Sequence, residues 1–319
     1  MNSVMATAPI AATTPFLPLE RLSVARPWGG RRIGTRFGWD ASQDVGEWWL
    51  ASGYPGSVTP VSDGRGLDEW LDEYGEVRGL PRADDFPLLV KFLDAEQVLS
   101  VQVHPDDAIA QKHGLVRGKT EAWHVIDAAP GAQLYIGLID GVTPELLFET
   151  IEAGATPEEI IGLLRSVPAR AGETWLIEAG TIHAVGAGVS IFEVQQSSDA
   201  TYRIYDWDRK PARELHIQAA REAAKDVLAV APCEPVRSFD GWDTYVDGDC
   251  FRLARATVNG RTDLTPRGSF ATLTVLSGEA TVQCGSSCSA IAAGETVMLL
   301  ETASITGNNV EVIATEPAL

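Results

Sequence analysis

What this chain lacks narrows its class before any motif is read. No apolar run is long enough to cross a bilayer. Basic residues are scarce: 25 Lys and Arg stand against 44 Asp and Glu, for a formal net charge of -19. A surface of that sign repels phosphate backbones and anionic headgroups instead of releasing their counterions, which argues against nucleic acid or a membrane as a general partner. A phosphorylated small molecule would need a local basic pocket. Cysteine is rare, and Cys233, Cys250, Cys284 and Cys288 all fall in the C-terminal third. Cys284-x3-Cys288 has no second pair at zinc-ribbon spacing, so free thiols in a reducing cytoplasm are expected. Met1 to Thr14 has neither the basic start nor the long apolar centre of a signal peptide and reads as a loose tail. The five histidines, His104, His113, His124, His183 and His216, all precede residue 217, so an imidazole metal site can be built only before that point.

What is present centres on Val98 to His124, VLSVQVHPDDAIAQKHGLVRGKTEAWH. Val98, Ser100, Gln102 and His104 alternate with Leu99, Val101 and Val103 at the two-residue period of a strand, so Gln102 and His104 share the polar face. Pro105, Asp106 and Asp107 start a short helical turn, Gly114 and Gly118 punctuate a loop, and a strand-like run from Lys119 puts Lys119 and Glu121 on one face. An imidazole, an amide and a carboxylate brought together from adjacent antiparallel strands suit a divalent zinc, iron or manganese ion. A second imidazole comes from Gly172 to His183, a strand, a tight turn at Ala179-Gly180 and His183 three residues past the glycine. The two stretches resemble the two-part motif of the cupin family, with Glu178 where proline is usual and Ala187 where asparagine is usual.

The remaining segments read as follows. Arg26 to Arg32 is a glycine-bearing turn with arginines, and residues 46–53 and 57–61 form a hairpin. Leu67 to Tyr74 is helical, and Phe86 to Phe92 is a buried strand whose Lys91 is taken as an edge contact. Thr143-Pro144-Glu145 and Thr156-Pro157-Glu158-Glu159 each supply an N-cap, a proline at the first helical position and first-turn carboxylates. They predict helices over 144–153 and 157–166, with Leu146, Leu147, Ile151, Ile160, Ile161 and Leu164 facing a core. Residues 189–196 alternate as a strand that can turn Glu193 inward, residues 197–209 crowd acids, arginines and aromatics, and 217–229 is a helix. The last third is short strands between turns, a small antiparallel barrel without histidine. The expected architecture is mainly β: two cupin-type jelly-roll barrels, residues 1–235 with a helical insertion near 143–166, and residues 236–319 without metal ligands.

With these pieces placed, the chain resembles the type I mannose-6-phosphate isomerase family in its short bacterial form, from Pro27 to the C-terminus. The resemblance rests on five stretches in order: Phe86 to Asp94, Val101 to Asp107, Gly118 to Trp123, Ala179 to Ala184 and Ser198 to Asp206. It implies one zinc per chain held by Gln102, His104, Glu121 and His183, Lys119 and Arg203 in the substrate pocket, Glu193 and Asp199 near it, and a phosphosugar as partner. Longer family members often carry a histidine just before the pocket lysine, where this chain has Gly118. His113, His124 and His216 fall on no motif position, and the first and last are expected to be dispensable.

The implied chemistry is consistent with the residues. Interconverting an aldose and a ketose moves a proton between C1 and C2 through an enediol, and a divalent ion supplies the Lewis acid that polarises the carbonyl. Lys119, Glu193 and Asp199 are the candidate bases. Arg203 suits the enediolate or the phosphate, and Arg26, Arg31 or Arg32 could add phosphate contacts. A bicupin oxygenase on the same two-His, one-carboxylate set, or a sugar-binding cupin without catalysis, are the other classes compatible with the ligands. The number of subunits is not encoded in any motif.

Overall fold

The computed structural model describes residues 11, 13–227 and 231–318. Two compact units emerge: one of residues up to Val24, Trp48–Lys91 and Glu234 onward, the other of Ala25–Glu47 and Phe92–Cys233. The expected cut at 235/236 falls within two residues of the last crossover, but residues 48–91 group with the C-terminal third. The cause is non-local contact that a linear reading cannot see: Phe16–Leu19 pairs with Thr296–Leu299, Leu19 bridges Val61, and Phe86 stacks on Phe270.

In the second unit the strands Tyr202–Tyr205, Val101–Val103, His183–Val185, Gln133–Leu138 and Leu164–Pro168 lie side by side in that order, all antiparallel. A second sheet of this unit carries residues 92–95, Val189–Gln196, Glu121–Ala128 and Thr174–Ile177. The two pack face to face: Trp123, Val125 and Trp175 from one share a buried cluster with Leu134, Ile136 and Val185 from the other. Val101 and Val103 point the opposite way, into a cluster with Leu147, Phe148, Ile160 and Ile204. Alternation therefore leaves Gln102 on the face turned toward the other sheet.

The helices of the insertion cover that outer cluster. Thr143 accepts from the Leu146 N–H and Thr156 from the Glu159 N–H, the latter with Glu159 closing a capping box, and each helix begins with its proline: Pro144–Glu152 and Pro157–Leu163. The second ends earlier than its periodicity suggests because Leu164 turns extended (ψ 141°) and starts a strand. Leu146, expected on the core face, is 42% exposed, while Leu147 and Phe148 are buried. The helix expected over 217–229 spans only Ile217–Ala223, with Ala224 extended; its residues 228 and 229 lie outside the described ones.

The first unit is a sheet in the order Phe16–Leu19, Thr296–Leu299, Ala271–Ser277, Ala303–Pro317, Phe251–Leu264, Trp242–Asp247, Arg237–Phe239, with the hairpin Glu279–Cys284 and Ser287–Ala292 attached to Ala303–Pro317. Its core is apolar, with Leu273, Val275, Val297, Ile305 and Val312 fully buried. The helix Leu67–Arg78 belongs to this unit and buries Leu67, Trp70 and Leu71 as spaced. Residues 57–61 form no strand; Thr59 donates to Ser52 O at 2.9 Å and Val61 makes one bridge to Leu19. Lys91 is 5% exposed, so it is no edge contact, which would leave its ammonium in water. The protein is mainly β, as expected, but among the described residues no sheet closes into a barrel. The described cysteines are all free thiols.

Candidate metal centre

Three chain segments converge between the inner faces of the second unit. His183 stands opposite Gln102, and Gln102 opposite Arg203, so the three side chains form one row across three strands. Glu121 comes from the facing sheet. The sequence reading put it on a strand adjacent to Gln102 and His104; the strands instead belong to different sheets, and the loop between them crosses from one layer to the other. Ligand atoms of His104, Glu121 and His183 all lie within 4.8 Å of one another, and all three residues are buried.

The backbone fixes each imidazole. His104 Nδ1 is 2.8 Å from Ala200 O and His183 Nδ1 is 2.8 Å from Thr181 O. A carbonyl can only accept, so each Nδ1 carries the proton and each Nε2 presents its lone pair to the cluster. His104 Nε2 lies 3.2 Å from Glu121 Oε1, at an angle outside hydrogen-bond geometry, and is otherwise without a partner. His183 Nε2 is 3.2 Å from the Gln102 amide and 3.9 Å from Glu121 Oε2. A half-turn of that amide exchanges its nitrogen and oxygen and brings the oxygen to the imidazoles. Two inward lone pairs, a carboxylate and an amide oxygen, with one buried nitrogen unsatisfied, fit a divalent ion.

Electrostatics agree. Burial pushes the His104 imidazole down to about 3, with the Lys119 ammonium adding to the shift against Glu121. Burial lowers His183 too, opposed by Glu121 and by its bond to Thr181. Burial alone would raise the Glu121 carboxyl, but the Lys119 ammonium, at 3.1 Å from its Oε1, holds it well below the ordinary range. Trp123 Nε1 donates to its other oxygen at 3.1 Å. The candidate ligands are thus in the protonation state a metal needs, two neutral imidazoles and a carboxylate.

A pH effect follows. An unfolded histidine takes a proton near about 6.5, whereas folded His104 takes one only near about 3. Between these values the unfolded state binds more protons, so stability rises with pH and is lost as pH falls from about 6.5 toward 3. The denaturant midpoint of metal-free protein is expected to be lower at pH 5 than at pH 7.5, and the drop to shrink in His104→Gln. An unchanged drop would contradict the burial argument.

Lys119 is set by a polar clasp that the sequence reading missed. Asp106 caps the helix Asp107–Lys112 through the Ile109 N–H at 3.0 Å. Asp107 Oδ1 accepts from Gly118 N at 2.7 Å and from Gln196 Nε2 at 3.0 Å, and Gln196 Oε1 accepts from Thr120 N at 2.9 Å. Lys119 N donates to Pro105 O at 2.9 Å. Gly118 sits inside the clasp, where a Cβ would stand 2.6 to 2.7 Å from backbone atoms of Pro105, Asp106 and Asp107. Gly118 therefore has no room for any side chain. Gly118→Ala is expected to lower stability by about 1–3 kcal/mol; an unchanged denaturation midpoint would show that the clasp yields.

The other candidates separate. Glu193 is buried opposite Trp123, and Gln195 is buried opposite Glu121, so both share the face of the carboxylate. Gln195 donates to Ser198 O and Gln196 O, bracing the turn that ends at Ala200, the partner of His104. Nothing in the sequence singled it out. Asp199 is exposed and outside the cluster. Of the three early arginines, Arg31 is taken by Asp44 at 2.6 Å and Arg32 by Gly188 O at 2.6 Å. Arg26, paired with Glu47 at 3.0 Å, feels the charge of Asp199 and in turn disfavours the charge of Arg203. His124 is a packing residue bonded to Thr174 Oγ1, and His113 bonds the Tyr202 hydroxyl at 2.6 Å.

Fold and site together define a mainly-β protein with a buried centre suited to a divalent metal, flanked by a buried lysine and by arginines. Residues 24–125 match the family described as phosphomannose isomerase type I, catalytic domain. Mannose-6-phosphate isomerase from Streptococcus mutans is 36% identical over 292 residues, 86% of this chain and 89% of the relative, and the Bacillus subtilis enzyme ManA is 34% identical over 281 residues, 84% and 87%. The crystal structure of mannose 6-phosphate isomerase from Bacillus subtilis superposes with a TM-score of 0.85 at 30% identity, covering 95% of this chain and 100% of that one. An Archaeoglobus fulgidus structure, 22% identical with a TM-score of 0.77, shares the fold over 95% and 98% of the two chains. This chain belongs to the type I phosphomannose isomerase family.

Proposed function

We infer that the protein is a metal-dependent mannose-6-phosphate isomerase, interconverting mannose 6-phosphate and fructose 6-phosphate through an enediol. The observation that carries this for the chain itself is the buried set of His104, Glu121 and His183 with both Nε2 lone pairs turned inward. These three and Gln102 would hold one zinc, which when bound supplies Lewis acidity at the sugar oxygens.

The chain's residues divide the remaining work. A base must take the proton from C2 of the aldose and return it to C1, while a proton passes between O1 and O2. Lys119 and Glu193 are the buried candidates on the carboxylate's face; Asp199, exposed, belongs at the rim. Arg203, in the row with Gln102 and His183, would meet negative charge as it develops. Arg26 can meet the phosphate, and the -19 chain makes such a local concentration of cations meaningful. The facing sheets fit one cupin-type jelly-roll, with the first unit's sheet as the second, and four free thiols suit a cytoplasmic setting. Incubation of purified protein with mannose 6-phosphate tests the reading: fructose 6-phosphate is expected, and its absence with metal bound would overturn it.

A further inference from the structure

Arg203 is gripped by one short segment. Its backbone N–H donates to His216 Nδ1 at 3.2 Å, and its carbonyl accepts from the His216 N–H at 2.7 Å. Its guanidinium donates through Nη1 to Glu214 O at 2.7 Å. Among the described residues the strand Tyr202–Tyr205 is the first in its sheet, with a neighbouring strand on one side only. Both backbone groups of Arg203 therefore turn away from the Val101–Val103 strand, and an edge residue in that position ordinarily leaves them to water. His216 occupies the place of the missing strand, with one bond from its side chain and one from its backbone. The same geometry makes Arg203 and Gln102 a non-hydrogen-bonded pair, the kind whose side chains stand closer together.

His216 is itself fixed. Its carbonyl accepts from Ala220 N at 2.8 Å as the helix Ile217–Ala223 begins, and Ala220 and Ala223 pack on Val101, Val103 and Ile204 of the same sheet. The grip has something to resist. Burial first, and then the charges of Arg213, Arg209 and Arg26, disfavour a cation at Arg203, with Asp206 opposing; Asp206 is already shared between Arg209 and Arg213 at 2.7 Å from each. Accepting from an N–H requires a lone pair on Nδ1, and that lone pair faces the Arg203 N–H.

We propose that His216 is a positioning residue for the isomerisation, holding Arg203 in the row with Gln102 and His183 through a two-bond clamp and touching neither sugar nor metal. This rests on the reading of Arg203 given under the proposed function. It reverses the expectation from sequence that His216 is dispensable, because no motif marks a residue that acts only through another's backbone.

The test compares His216→Ala, His216→Asn, Arg203→Ala and the double variant His216→Ala/Arg203→Ala in the full chain with its metal, by kcat, KM, metal content and thermal midpoint. His216→Ala is expected to lower kcat roughly ten- to a hundredfold, as a misplacement of about 1 Å does, with KM and metal content little changed. His216→Asn, whose side-chain oxygen can accept where Nδ1 did, should recover most of the loss, and the double variant should be no slower than Arg203→Ala alone. Wild-type kcat in His216→Ala while Arg203→Ala is impaired would overturn the inference, as would equal losses in the Ala and Asn variants that follow the thermal midpoint. Wild-type kinetics in Arg203→Ala would instead remove the reading of Arg203, and the inference with it.

Discussion

Alanine at His104 or at His183 is expected to empty the metal centre and bring isomerase turnover to the limit of detection. Each imidazole is oriented by a backbone carbonyl, presents a neutral Nε2 and is buried, so alanine removes one of two inward lone pairs of the set. Loss of a supporting partner around a metal typically costs about ten- to a hundredfold in affinity, and loss of a ligand itself should cost more. His113→Ala is the control. That ring bonds the Tyr202 hydroxyl and Glu222, outside the cluster, and its loss should leave metal content as in the wild type. Elemental analysis of the purified variants decides the matter: full metal content in His104→Ala or His183→Ala would end the ligand assignment.

The second large effect is expected at Arg203. Truncating one preorganised donor to developing charge costs about a hundredfold or more in rate. If Arg203 meets charge that appears only in the enediolate, Arg203→Ala lowers kcat with little change in KM; if it holds the phosphate already present in the ground state, KM rises instead. The first outcome is expected, because Arg203 stands in register with Gln102 and His183, inside the row that faces Glu121. Arg26 is the phosphate candidate that lies by the site, since its charge acts on Arg203. Wild-type kinetics in Arg203→Ala, with metal bound, would take Arg203 out of the site.

Local periodicity told much of this in advance. The alternation holds over Val101–Val103, because Val101 and Val103 do face the helices, but the strand is no longer than that and Leu99 packs in the other cluster. Threonine caps followed by proline located two helices to within a few residues, since capping depends only on near neighbours in the chain. The failures share one cause. Placing Glu121 on an adjacent strand and Lys91 at an edge both required knowing which strands pair across long separations, and a two-residue period carries no such information. Asp107, Gln195, Gln196 and His216 were invisible for a related reason: they act by holding backbone groups of other segments, and any residue able to hydrogen-bond could have served.

The claim that this chain isomerises mannose 6-phosphate at a metal bound between its two facing sheets is tested most directly by removing the metal and returning it. The strands of the centre bury their own apolar clusters, so the fold does not depend on the ion as a zinc finger's does. Chelation is expected to abolish conversion of mannose 6-phosphate to fructose 6-phosphate while the far-UV circular dichroism stays unchanged, and added zinc to restore the rate. Full activity in protein shown by elemental analysis to be free of metal would contradict the account.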